Sequence, residues 1–159
     1  MAALWRQDVG FSPEGLVVAL AVLGPNLLLL RFPPRGPVPS ATVPRPVGWL
    51  ERAGQALCLA VPVSTAPGPL LWGWAVPVVT GLVRYYALWA CYFPTGHAAA
   101  ALYRPLGRIP VPMAVLPVVV LLATAAWMGN PWVAVAAVVL AAGHVPAALI
   151  AARSVTAAG

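Results

Sequence analysis

The chain has 159 residues, 62% of them hydrophobic and only 8% charged, with a net charge of +6. Soluble globular proteins carry roughly a quarter charged residues, so the long apolar stretches read as membrane spans and not as a soluble core. The positive charge comes from nine arginines spread through short segments between apolar runs, which excludes a basic nucleic-acid-binding face and fits the positive-inside bias of membrane proteins.

Five apolar segments follow in order, within a single transmembrane helical domain over 1–159. The first is expected over 13–31. Ser12 suits its N-cap, Pro13 the first helical position and Glu14 the positive end of the helix dipole. No small-residue cleavage site follows it, so it reads as a retained span and not a removed signal peptide. A proline-rich connection, "RFPPRGPVPSATVPRP", is expected to be extended. The second span is expected over 47–65, after which "APGP" breaks the helix. The third is expected over 70–93, the fourth over 111–128 and, past a tight "GNP" turn, the fifth over 132–152. Each is near the ~20 residues that cross ~30 Å of hydrocarbon. The long connections hold Arg35, Arg45, Arg104 and Arg108, and the short ones hold no basic residue. That asymmetry predicts cytoplasmic long loops, with the N-terminus outside and the C-terminus inside. Trp72, Trp74, Trp127 and Trp132 then fall at the outer interface, where an aromatic belt is expected.

Polar residues within spans are few: Asn26, Glu51, Gln55, Arg84 and His144. Ionisable groups there are expensive and by default suggest function. All five fall in the cytoplasmic half. Glu51, Gln55, Cys58 and Pro62 follow i, i+4, i+7, i+11 on one helix face. Tyr85, Trp89 and Tyr92 form a similar stripe beside Arg84. Glu51 is the only acidic residue at the depth of Arg84, which predicts a Glu51–Arg84 contact. Two readings stand: an ion pair locking the second span to the third, or a polar pocket under an aromatic wall with Glu51 as acid or base. With no carboxylate near it in sequence, His144 reads as a packed core histidine ahead of a proton relay. His97 is expected at the interface. Cys58 and Cys91 lack Cys-x-x-Cys spacing and read as small packing residues. Two separated histidines and one intramembrane carboxylate make no metal site, and no cofactor is expected. Prolines 25, 62, 77, 117 and 146 are expected to kink the spans.

Phosphate-binding loops, paired carboxylates, Gly-x-Ser-x-Gly and His-Glu-x-x-His are all missing, which removes ATPase, glycosidase and metalloprotease readings. No internal repeat divides the five spans, which counts against an inverted-repeat transporter.

"GPNLLLLRFPP" (24–34), "ERAGQ" (51–55), "RYYALWACYF" (84–93), "YRPLGRIPVPMAVLP" (103–117) and "GH" (143–144) together resemble small bacterial integral membrane proteins with five spans. With its small size, the lone intramembrane glutamate and heavy use of Ala, Pro, Val and Gly, the chain is similar to the actinobacterial membrane-bound terpene cyclases of xiamycin-type indole-terpenoid pathways, and the resemblance implies the bacterial plasma membrane as its location. The resemblance implies an isomerase that opens an epoxide, or protonates an alkene, on a lipophilic prenylated substrate without a metal. Glu51 would then be the acid, and Tyr85, Trp89 and Tyr92 would stabilise the carbocation through their ring faces. Arg84, Gln55, Asn26 or His144 would tune the acid or take the final proton. The larger fungal membrane cyclases use two acidic residues in separate spans, and here only Glu51 qualifies. The other reading is a non-catalytic accessory subunit, scaffold or small transporter. The expected partners are a lipophilic small molecule and membrane lipid, with no nucleic acid; the oligomeric state is left open.

Overall fold

A computed structural model describes residues 8–35 and 42–157. Part of the proline-rich connection expected to be extended, 36–41, lies outside the described residues. Five α-helices carry the fold: α1 (Pro13–Arg31), α2 (Arg45–Ser64), α3 (Ala75–Tyr92), α4 (Pro112–Trp127) and α5 (Pro131–Ala157). Among the described residues there are isolated β-bridges but no strands. The chain is thus all-α, with helices close to the expected segments. α1 and α5 are long and apolar enough to cross a membrane; α4 is apolar but shorter.

Local chemistry explains the boundaries. Ser12 Oγ accepts from the Gly15 amide at 3.0 Å, capping α1 as expected. Asn130 caps α5 by accepting from the amides of Trp132 and Val133. The expected third span begins late, because Gly68 and Leu71 donate their amides to the carbonyls of Met128 and Trp127. Those bonds tie 68–71 to the end of α4, and α3 starts only at Ala75, after a single tight turn over Trp72–Trp74. Pro77 therefore stands in the first turn of α3, where proline needs no helical partner, and not inside a span as a kink. Pro25, Pro62, Pro117 and Pro146 do lie within helices. Pro25 cannot donate to the Ala21 carbonyl, and the Tyr86 hydroxyl of α3 takes that carbonyl at 3.0 Å. A helix defect in α1 thus becomes a tether to α3.

The helices alternate in direction. The start of α1, the end of α2, the 66–71 segment and the end of α4 meet at one end. There Gly10 and Ser12 donate to Ser64 and Val63, and Ala66 donates to Asp8. Trp72 and Trp127 meet edge to face at this end, with centroids 5.7 Å apart. The opposite end gathers Phe32–Arg35, the 93–110 connection and the start of α2. Arg35 and His97 pair through their backbones there, and His97 packs on Phe32, Tyr92 and Phe93.

α4 is the most enclosed helix, with Val120 and Leu121 fully buried against Val22, Cys58 and Ala137. α2 lies along α5, and α3 along α4. A second cluster, Tyr85, Trp89, Tyr92 and Leu116, fills the space toward the loop-rich end. The outside of the bundle is apolar: Val17, Leu27, Val79, Val83 and Val138 are all more than half exposed.

Candidate functional site

The site is built on the α2–α5 contact. At its centre Gly143 of α5 faces the backbone of Leu50 and Glu51, and Gly54 of α2 faces the backbone of Leu140. A Cβ at either glycine would overlap the facing helix. Small residues let helix backbones approach closely, and this approach sets Glu51 beside the residue following Gly143. His144 Nδ1 lies 2.7 Å from Glu51 Oε1, and each side chain is about a quarter exposed. With Glu51 ionised, Nδ1 carries the ring proton and donates it, which leaves Nε2 as acceptor; a protonated ring presents Nε2–H instead. Nε2 has no hydrogen-bond partner among the described residues.

The two members of the pair face different spaces. His144 lines a cavity of about 120 Å³ whose walls include Asn26, Tyr85, Trp89 and Tyr103. Glu51 lines a separate groove of about 480 Å³ together with Arg45, Trp49 and Arg52. Arg52 lies over the Trp49 ring, 5.9 Å from its centroid. The cavity is mostly apolar, and the groove is cationic. The pair thus stands between them, carboxylate toward the groove and imidazole toward the cavity.

The cavity wall is held by neighbours. Tyr85 donates from its hydroxyl to Asn26 Oδ1 at 3.2 Å, joining α3 to α1. Tyr85 and Trp89 meet edge to face with centroids 6.4 Å apart, and Trp89 meets Tyr92 the same way at 5.7 Å. The Trp89 indole nitrogen is sealed from solvent and sits near the Tyr85 hydroxyl. Tyr103 comes from a tight turn over Ala99–Tyr103. Burial pushes its phenol above the ordinary value, and the negative charge of Glu51 pushes the same way, so Tyr103 stays a hydroxyl donor at neutral pH.

The expected site residues separate into two groups. Glu51, His144, Asn26, Tyr85 and Trp89 come together around the pair and the cavity. Arg84, Gln55 and Tyr92 do not. Arg84 is exposed on the outside of α3 and has no ion-pair partner among the described residues. The expected Glu51–Arg84 contact is replaced by Glu51–His144. α3 rotates Tyr85, Trp89 and Tyr92 inward, and Arg84 precedes Tyr85 by one position, about 100° around the helix. Gln55 is also exposed. The inward stripe of α2 is Glu51, Gly54, Cys58 and Pro62, with the glycine in the place expected for Gln55. Tyr92 is buried, but its hydroxyl donates to the Phe32 carbonyl at 3.2 Å, outside the cavity.

Sequence reasoning missed Tyr103, which lies in a loop, and the two glycines that set the α2–α5 distance. Gly54 and Gly143 each stand within three residues of a member of the pair, and that spacing was the available signal. Among the described residues no three of His, Cys, Asp or Glu come together. Comparisons with protein families, with curated proteins and with solved structures found no match.

Proposed function

We propose that the protein is a multi-pass protein of the bacterial plasma membrane, with all five helices spanning and the arginine-rich end cytoplasmic. In that bilayer it is a metal-independent cyclase of lipophilic prenylated substrates, with acid–base chemistry at Glu51 and His144. The observation that carries this is the position of the pair, between a cationic groove and a mostly apolar cavity walled by aromatic rings. An acid in such a place is reloaded from the aqueous side and discharges toward a substrate shielded from water. The bare apolar flank of the bundle supports immersion in lipid, and α2, α3 and α4 span as neighbours of the two longest apolar helices.

The step balances without a co-reactant. A proton passes from the pair to an epoxide oxygen or an alkene carbon. The C–O or C=C bond opens to a cation, which a substrate double bond captures to close a ring. Loss of a proton from carbon then gives a product of unchanged mass. Tyr85 and Trp89 supply the ring faces that stabilise the developing positive charge in this scheme. His144 is the member on the cavity, so it makes the transfer in this scheme, with Glu51 holding its tautomer and returning the proton.

A second reading is favoured by one observation, the close approach at Gly54 and Gly143. On that reading the pair only fastens α2 to α5, in a non-catalytic accessory, scaffold or small transport protein.

Membranes containing the protein, incubated with epoxidised prenyl-aromatics, separate the two. The cyclase reading expects isomers of unchanged mass from wild type. It expects losses of about 10²- to 10⁴-fold in well-folded Glu51→Gln and His144→Gln, the usual range for a positioned acid–base group. Full turnover by either variant, or no conversion by wild type across such substrates, overturns it.

A further inference from the structure

On the outside of α3, Val76, Thr80, Arg84, Ala87 and Cys91 are all exposed. Their spacing of four, four, three and four residues puts them on one stripe of the helix. The other sides of α3 are taken. Gly81, Tyr85 and Trp89 are buried, with Val120 of α4 close against Gly81. The Tyr86 hydroxyl reaches the Ala21 carbonyl of α1. Arg84 stands at the middle of the bare stripe and has no ion-pair partner among the described residues. Thr80 and Ala87 lie a turn to either side of it, small residues of the kind that let another helix approach closely.

With α3 spanning the bilayer as proposed, its 18 residues cover about 27 Å at ~1.5 Å each. Arg84 is eight residues from the end of the helix at Tyr92, about 12 Å along the axis. Arginines near helix ends reach the headgroups by snorkelling. From the middle of α3 that route is too long, which removes lipid phosphate as the counter-ion. A guanidinium keeps its charge, and a charge facing hydrocarbon is among the costliest placements in a membrane protein. No side-chain carboxylate of this chain neutralises it. Of the three, Glu51 is joined to His144, and Asp8 and Glu14 stand at the end where α1 begins. Charge also disfavours a second copy on this face: inserted the same way up, it brings Arg84 against Arg84.

We infer that this face of α3 docks a transmembrane helix of another protein, one that carries an aspartate or glutamate near the bilayer midplane. The Arg84 guanidinium donates to that carboxylate, which its planar fork matches, and Thr80, Ala87 and Cys91 pack beside it. The inference goes beyond the proposed chemistry and rests only on the spanning part of that reading.

For the test, full-length protein in phosphatidylcholine vesicles is mixed with synthetic leucine-rich transmembrane helices. These lack tryptophan, carry a dansyl group and have either Glu or Leu as the central residue. Energy transfer from the protein's tryptophans reports association. The Glu helix is expected to bind saturably and about three- to thirtyfold more tightly than the Leu helix, the range of interhelical polar contacts in bilayers. In Arg84→Met that preference disappears. Cys91 gives a positional check, because it is exposed on the same stripe whereas Cys58 is buried. A cysteine placed two turns before or after the Glu, in two versions of the helix, is expected to cross-link to Cys91 in one of them. Equal binding of the two helices, or a preference that survives Arg84→Met, overturns the inference. So does efficient Cys91–Cys91 cross-linking between copies of the protein, which would assign the face to a second copy. Whether α3 spans is read separately from a nitroxide on Ala87→Cys in a Cys91→Ala background, where relaxation by oxygen and not by an aqueous nickel chelate is expected. A water-exposed label removes the spanning reading and this inference together. A lipid-exposed label with no preference for the Glu helix removes this inference alone.

Discussion

The two ends of the bundle use polar groups differently. At the end where α1 begins, they hold backbone together. Ser12 caps α1, Asn130 caps α5 and donates to Thr65 Oγ1 at 2.7 Å, and Thr65 donates to the Val61 carbonyl. Ser12 and Asn130 are buried and matched. At the other end polar side chains tie helices and loops across the bundle, Tyr85 to Asn26 and Tyr92 to the Phe32 carbonyl, and one titratable pair, Glu51 and His144, stands beside open space on two sides. The capping end has no such pair among the described residues; its one buried indole nitrogen without a partner among the described residues, that of Trp127, is matched by Trp89 at the other end. A carboxylate and an imidazole joined beside a cavity and a groove are what distinguish the second end.

The sharpest way to break the contrast is through the helix contact beneath the pair. In Gly143→Leu the first side-chain carbon already meets the Glu51 backbone, which has no rotamer with which to yield. α5 must move off α2. A loss of about 3 kcal/mol or more is expected, at the upper end of the overpacking range, with a large fall in Tm in detergent. Gly48→Leu, on the facing helix α2, is the control, because a Cβ there meets nothing within 4 Å. Equal melting of the two variants would mean that the close approach does not set the site.

The capping end is expected to respond in stability alone. Asn130→Ala removes the cap of α5 and the bond to Thr65, for about 1–2 kcal/mol. Its turnover, measured below the melting range, stays at the wild-type level. A comparable loss of activity at unchanged fold would dissolve the distinction between the two ends.

The helices were legible because apolar runs, prolines and caps are local signals: Ser12, Pro13 and the "GNP" turn each mark a boundary where one forms. The site was legible in its members but not in its pairing. Glu51 and His144 are 93 positions apart, and nothing local brings them together. Their meeting depends on helix rotation and on two glycines, and a rotation error of one position swaps an inward residue for an outward one. That is what separated Arg84 from Tyr85, and Gln55 from Gly54. Choosing Arg84 as the partner of Glu51 followed charge and depth, which are one-dimensional quantities. The choice between Arg84 and His144 is made by azimuth, which a single sequence encodes only weakly where nearly every position is apolar.

Arg84 therefore supplies the smallest effect and the cleanest test of the pairing. Exposed on α3 and without an ion-pair partner among the described residues, it contributes little to the fold, so Arg84→Met should change stability by no more than about 0.5 kcal/mol. In a double-mutant cycle, Glu51→Gln and Arg84→Met should be additive, as separated sites are. Glu51→Gln and His144→Gln should instead show coupling of about 0.5–3 kcal/mol, the range for side chains in contact. Rescue of Glu51→Gln by Arg84→Met would mean that Glu51 pairs with Arg84 in the wild type, and would rule out the Glu51–His144 dyad. Additivity in the first cycle with coupling in the second leaves Glu51 tied to α5, where its partner is a group able to give up the proton it receives. Arginine cannot do that near neutral pH, so the identity of this one partner separates a helix fastener from a proton-transfer site.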